Sequence, residues 1–400
     1  MPLDLFVNPR LDRGGPYPAR LCAVQSLEAF AQAQAEIARW PGFAPTPLRT
    51  LPGLAAAHGL ASVHYKDEGG RFGLGSFKAL GGAYAVMRLL QRAVADRTGQ
   101  VPEAGALIAG QHRAITRDVT VTCATDGNHG RSVAWGARLF GCACVIYIHA
   151  GVSEGRRAAI AAYGAEVIRT PGNYDDSVRQ AQADADRLGR LVVSDTSYPG
   201  YRDVPREVMQ GYSIMAAEAL EQIGAPPSHV FVQGGVGGAA AAVLAHLWER
   251  WGSARPILVV VEPDRADCIL RSARAGKPVV LAGDLDTVMA GLSCGEVSEL
   301  AWEMLDPGAD GFMAIEDQRA IASMRLLADG VGGDGPIVAG ESAVAGLAGA
   351  LAARERGAFG LDTRSRLLVF GTEGATDPAL YARIVGRTPE AVLSASHRSP

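Results

Sequence analysis

At 400 residues the chain is long enough for about two domains, and with 48% hydrophobic and 20% charged residues it can bury a sizeable core, which excludes a disordered polypeptide. Its 38 basic and 42 acidic side chains nearly cancel to a formal charge of −4, which argues against a sequence-wide electrostatic grip on nucleic acid and leaves only a local basic patch open. The N-terminus carries an early acid, Asp4, and no basic-then-apolar leader, and no run reaches the roughly 18 apolar residues of a membrane helix. The expected setting is the cytoplasm, away from membranes.

In chain order, strands are expected at Ser62–Tyr65, Thr120–Ala124, Val145–His149, Glu166–Arg169, Leu191–Ser194, Val230–Gln233, Ile257–Val261 and Leu367–Phe370. Most are unbroken apolar runs, the pattern of strands covered on both faces. Helical patterns fall between them at Ser76–Ala93, Asn128–Phe140, Ser153–Tyr163, Tyr174–Leu188, Arg206–Ile223, Gly238–Trp251 and Ser342–Glu355. This rhythm predicts an α/β protein with mostly parallel, doubly wound sheets. Ligands in such sheets sit at the carboxyl ends of strands, where loops enter helices. The six cysteines (Cys22, Cys123, Cys142, Cys144, Cys268, Cys294) are too sparse for a disulfide scaffold, and no zinc cluster is spaced among them. Cys268 and Cys294 could pair in an oxidising setting, and no metal site is expected.

Three turns could carry chemistry. In the first, Lys66–Lys78, Ser76 reads as an N-cap and Lys78 lies just inside a long helix, among Phe77, Ala79, Leu80, Gly81 and Gly82. A lysine there faces the positive end of the helix dipole, which disfavours its charged form and suits an amine that bonds a carbonyl. Without that apolar setting, a solvated surface lysine is the better reading. In the second, Cys123–Gly130, polar side chains stand at a sheet edge and Gly127 and Gly130 flank Asn128 and His129. It reads equally as an Asn-capped turn, and His129 alone reads as a packed histidine. In the third, Val232–Ala240, five glycine-rich positions lead from a strand into a helix and form an anion nest. That turn also fits a dinucleotide fingerprint loosely, Gly235-x-Gly237-x-x-Ala240, with Glu262 where a ribose-binding acid sits.

The dinucleotide reading explains one turn. Pyridoxal 5′-phosphate explains all three, since it needs a lysine for its aldehyde, a nest for its phosphate and polar partners for its ring. In order and spacing, Ser76-Phe77-Lys78, Gly127-Asn128-His129-Gly130 and Gly234–Ala239 resemble the fold-type II pyridoxal-phosphate enzymes, the tryptophan synthase β-like group. Within that group the chain resembles the diaminopropionate ammonia-lyase family. The marks are Lys66-Asp67-Glu68, Arg71–Leu74, Ala124–Arg131, Asp195-Thr196, Gly200-Tyr201, Met209–Tyr212, Gly291–Glu296 and Thr372–Asp377, spanning roughly residues 40–380.

The resemblance implies a large pyridoxal-phosphate-binding domain, 1–90 and 190–400, and a small domain, 91–189. It implies that Lys78 bonds the cofactor, Asn128 meets the ring hydroxyl, Gly234, Gly235, Val236, Gly237, Gly238 and Ala239 bind the phosphate, and Thr372 faces the ring nitrogen. Asp126, Tyr174 and Asp195 would meet the substrate, with Lys78 and Asp126 as catalytic bases. It implies a homodimer and a carbon–nitrogen lyase that turns 2,3-diaminopropionate, in one or both enantiomers, into pyruvate and two ammonia. The charge pattern agrees: the substrate's second ammonium asks for carboxylates, whereas one beside a neutral hydroxyl would stay desolvated and unpaired. The alternative is a serine or threonine dehydratase-like enzyme of the same fold. Arg71 reads as a partner of a substrate carboxylate or of Glu68, and Glu341 as a residue near the cofactor or a helix-start acid. Ser342 reads as a helix cap.

Overall fold

The computed structural model describes residues 3–283 and 285–395. Eleven strands appear among them: β1 (Asp4–Val7), β2 (Leu48–Thr50), β3 (Ser62–Asp67), β4 (Thr120–Ala124), β5 (Ala143–Ile148), β6 (Glu166–Arg169), β7 (Leu191–Val192), β8 (His229–Gln233), β9 (Ile257–Pro263), β10 (Gly311–Ile315) and β11 (Arg366–Gly371). They form a seven-stranded sheet, β1-β10-β9-β8-β11-β3-β2, and a four-stranded sheet, β6-β5-β4-β7. The expected α/β class, with two mostly parallel sheets, is what the chain adopts. Only the two edge strands, β1 and β2, run antiparallel to their neighbours.

The chain divides into two compact units. The first holds the residues up to Leu27, Pro45–Gly70 and those from Met215 onward, and the second holds Glu28–Ala44 and Arg71–Ile214. These limits differ from the expected 91–189 small domain. The second unit begins before the helix Ala79–Thr98 because that helix packs on its neighbours backbone to backbone. A Cβ at Gly136 of the helix Asn128–Phe140 would fall 2.8 Å from Ala83 Cα. One at Gly211 of the helix Asp203–Gln222 would fall 1.8 Å from the Leu80 carbonyl oxygen. Small residues thus bind that helix to the four-stranded sheet's layer, and the boundary falls inside Asp203–Gln222.

In the first unit, β8 is buried at every position and β9 and β11 nearly so. The helix Ala345–Arg356 lies against them, and its Ala and Gly residues allow close approach: a Cβ at Gly349 would stand 2.7 Å from Val261 Cγ2. In the second unit, side chains seal the starts of the helices Glu154–Ala161 and Tyr174–Leu188. Ser153 accepts from the Arg156 N–H, and Asn173 forms a reciprocal capping box with Asp176. Two expected caps are corrected. Ser76 lies two residues before the N-cap, which is Lys78, and the helix begins at Ala79. Ser342 does not cap the helix that starts at Ala345; its Oγ accepts from the Gly291 N–H and its N–H donates to Glu373. No helix among the described residues is long and apolar enough to cross a membrane. All six cysteines are free thiols.

Candidate active site

The second unit gathers four groups at the carboxyl edge of its sheet. Lys78 closes the loop that enters the helix Ala79–Thr98, with helical φ and ψ, so its carbonyl accepts the first helical N–H bonds. The loop before it holds Phe72 at φ +52°, a left-handed conformation that costs a non-glycine residue energy. The rings of Trp40 and Trp135, at 5.9 and 5.0 Å, hold Phe72 in place. Lys78 Nζ lies 5.3 Å from the Phe77 ring centroid and 5.6 Å from that of Tyr212, and 2.8 Å from Asp195 Oδ2. Aromatic faces attract the cation, and the carboxylate pairs with it.

Asp195 follows β7 by three residues. Burial alone would push its carboxyl up, but the Lys78 ammonium brings it well below the usual carboxylate range. It is therefore an anion poised for an ammonium. His129 is not its ion-pair partner. Burial lowers the imidazole's affinity for a proton, and its Nε2–H donates to the Val193 carbonyl at 2.7 Å. Nδ1, 4.0 Å from Asp195 Oδ2, is then a bare acceptor without a hydrogen-bond partner. The expected packed histidine is what the geometry shows.

Asp126 stands in the turn after β4, where Gly127 adopts φ +153°. Its Oδ1 lies 2.8 Å from His149 Nε2. Thr125 Oγ1 accepts from the Gly127 and Gly130 N–H groups, both at 3.0 Å, and so orders the start of the helix on which Asn128 is the first residue. Tyr174 is the first residue of the helix Tyr174–Leu188 and is 36% exposed. Arg71 is buried and donates to the Ala44 carbonyl, which ties its own loop.

The first unit carries the glycine-rich turn. After β8, Gly235 and Gly237 take φ +59° and +92°, and Gly237 N–H closes a tight turn on the Gly234 carbonyl. The 14-residue helix Gly238–Trp251 follows with no side chain capping it. Its first N–H groups thus lack intrahelical acceptors, and left-handed glycines at its entrance let an anion approach the backbone. A Cβ at Gly234 would fall 2.7 Å from Glu262 Cγ, so the turn admits no larger residue there. This cradle fits a phosphate.

Glu262 settles the dinucleotide alternative. It is fully buried and accepts from the Ile269 and Leu270 N–H groups at 2.9 and 2.8 Å, at the start of the helix Cys268–Ala275. It seals that helix and cannot meet a ribose. On the same unit, Gln233 ends β8 and Thr372 directly follows β11. Gln233 Nε2 donates to the Phe370 and Ala343 carbonyls at 2.7 and 3.0 Å and lies 2.9 Å from Thr372 Oγ1. Two carbonyls can only accept, so the amide's NH2 must face them. Glu341 is buried in the loop that also holds Ser342.

The sequence had named Lys78, Asp126, Asn128, Tyr174, Asp195, the glycine turn and Thr372. The structure brings Lys78 to Asp195 in one unit and Gln233 to Thr372 in the other. The sequence reading did not single out His149, Thr125 or Gln233. Thr125 sits three residues before the helix, a local capping signal; the other two act through tertiary contacts that leave no local pattern.

A lysine at a helix start and an uncapped glycine nest are the two groups that an aldehyde cofactor bearing a phosphate needs. Over residues 39–371 the chain matches the family of pyridoxal-phosphate dependent enzymes, and it belongs to that family. It is thus an enzyme of the fold-type II class with pyridoxal phosphate as cofactor. It is 41% identical over 383 residues, covering 91% of this chain and 94% of its relative, to the diaminopropionate ammonia-lyase of Escherichia coli strain K12. A crystal structure of the Escherichia coli diaminopropionate ammonia-lyase in complex with D-serine superposes with a TM-score of 0.87 at 36% identity, over 98% of each chain. Its complex with an aminoacrylate-PLP azomethine reaction intermediate gives 0.85 at 37% identity, over 96% of each chain. The resemblance read from the motifs therefore runs along nearly the whole sequence.

Proposed function

We propose that this chain eliminates ammonia from 2,3-diaminopropionate, yielding pyruvate and a second ammonia. The observation that carries this reading is Asp195 holding an ammonium, that of Lys78, at 2.8 Å. Once the Lys78 amine is committed to the cofactor's aldehyde, Asp195 loses the cation that offsets its burial, and a substrate ammonium would restore that pairing. Asp126 supplies a second carboxylate in the same unit. A substrate with two ammonium groups and one carboxylate matches that charge; serine offers one ammonium fewer.

The turn Gly234–Ala239 takes the phosphate, and Thr372, in contact with Gln233, offers its hydroxyl to the ring nitrogen. Lys78 takes the aldehyde, Asn128 the ring hydroxyl, and Tyr174 the substrate's carboxylate side. When bound, the cofactor supplies the electron sink that makes the α C–H bond acidic. Lys78, its amine freed when the substrate's amine takes its place on the aldehyde, would remove the α proton of one enantiomer and Asp126 that of the other, so one site would process both. The β nitrogen, held as an ammonium by a carboxylate, leaves with the bonding pair as ammonia. The released aminoacrylate hydrolyses to pyruvate and the second ammonia. We further read the chain as a cytoplasmic homodimer, as the resemblance implies.

The test is an absorption spectrum of the purified protein before and after D- and L-2,3-diaminopropionate, with pyruvate followed by a coupled assay. A visible band and pyruvate from diaminopropionate are expected. Pyruvate from serine or threonine alone would move the assignment to a dehydratase.

A further inference from the structure

β4 and β5 pair in parallel register, Ala124 opposite Tyr147. Asp126, two residues beyond β4, and His149, directly after β5, therefore rise from neighbouring carboxyl ends of one sheet. His149 Nδ1 accepts the Gly151 backbone N–H at 3.1 Å. A ring nitrogen that accepts a hydrogen bond carries no proton, so the neutral ring has its proton on Nε2 and donates it to Asp126 Oδ1, 2.8 Å away. The ring's own backbone is fixed in turn: the Arg169 guanidinium donates to the carbonyls of His149, Ala150 and Val152 at 3.2, 3.1 and 2.7 Å.

We propose that His149 is the positioning residue of Asp126, donating from Nε2 to Oδ1 so that Oδ2 faces the substrate's α carbon in one fixed orientation. The inference rests on the reading of Asp126 as the base for one enantiomer. The side chains of His149 and Asp126 are 24% and 31% exposed, so a half-solvated pair of this kind adds little to stability. Its consequence is geometric. An aspartate in a turn has rotamers to explore, and a base displaced by about 1 Å loses on the order of a hundredfold in rate. His149 removes that freedom, and it acts only on the enantiomer that Asp126 serves. Lys78, assigned to the other enantiomer, stands on a different loop, at the start of the helix Ala79–Thr98.

The experiment compares holoenzyme carrying His149→Ala, His149→Gln and Asp126→Asn, measuring kcat for pyruvate release from D- and L-2,3-diaminopropionate separately. Imidazole nitrogen shifts by NMR report the tautomer without reference to turnover. Asp126→Asn identifies the enantiomer that uses the carboxylate. His149→Ala is expected to lower kcat for that enantiomer by about 10- to 100-fold, with the other changed less than about threefold. His149→Gln, which keeps an N–H donor, recovers part of the loss, and the wild-type ring shows the Nε2–H tautomer. Equal loss on both enantiomers, no loss on either, or an Nδ1–H tautomer overturns the role of His149 and leaves the ammonia-lyase reading standing. Full activity of Asp126→Asn on both enantiomers overturns the base assignment and the role of His149 with it. Absence of pyruvate from either enantiomer with wild-type enzyme overturns the ammonia-lyase reading itself.

Discussion

Glu262 shows how a single side chain behind the glycine turn ties folding to pH. Burial pushes its carboxyl from the ordinary 4.5 up to about 8, against the opposing pull of the Ile269 and Leu270 N–H groups. The folded chain therefore keeps a proton that the unfolded chain releases. The stabilisation from that proton is complete below about 4.5 and is lost as pH rises through about 8. Glu262→Gln removes the titration while keeping an oxygen that can accept from one N–H. Urea unfolding at the two ends of that window should show the variant gaining on wild type at the alkaline end by at least about 1.4 kcal/mol, the worth of one pH unit. Parallel stability curves would mean that the two N–H donors keep Glu262 ionised. Glu262 also marks the limit of reading residues from sequence. Its place after a strand invited a ribose-binding role, and only the fold shows it turned inward onto a helix start. His149 was hidden for the same reason, since its meaning comes from Asp126, 23 positions away.

Among the elements, the sequence announced the strands buried on both faces, such as β8 with its Val-Phe-Val run, and also β6, whose ends are exposed. β1 and β2 escaped because they are short antiparallel edges, four and three residues long, with exposed ends. β10 escaped because Gly, Met and Ala dilute its β-branched signal, although all five of its residues are buried. The helix that follows Lys78 was visible in the sequence, but its start was placed at Ser76, whereas Lys78 itself is the N-cap. That helix also owes its position to glycines. Gly211 packs against the Leu80 carbonyl oxygen, where a Cβ would stand at 1.8 Å, and backbone cannot swing aside as a side chain does. Gly211→Ala should destabilise the protein by about 1–3 kcal/mol. Because Leu80 is two residues from Lys78, the variant should also shift the visible absorption of the bound cofactor. Unchanged stability and an unchanged spectrum would show that the two helices can separate without cost.

At the scale of the whole molecule, the proposed reading gives Lys78 and the glycine turn after β8 to pyridoxal phosphate, and thermodynamic linkage tests that assignment without a substrate. A ligand that binds only the folded chain stabilises it by about 2.7 kcal/mol at a hundredfold excess over its Kd. Pyridoxal phosphate should stabilise wild-type apoprotein to this order in urea unfolding. Lys78→Ala, in the second unit, should lose the visible band and part of the stabilisation, keeping the share that comes from the phosphate. Gly235→Val, in the first unit, puts a branched side chain at φ +59° and should lose most of it. Pyridoxal without its phosphate separates damage to the nest from damage to the fold, because it cannot use the nest. It should stabilise wild type and Gly235→Val by the same small amount, while the phosphorylated form distinguishes them. If Gly235→Val responds to pyridoxal phosphate as wild type does, the phosphate is bound elsewhere, and if Lys78→Ala keeps the visible band, another amine holds the aldehyde.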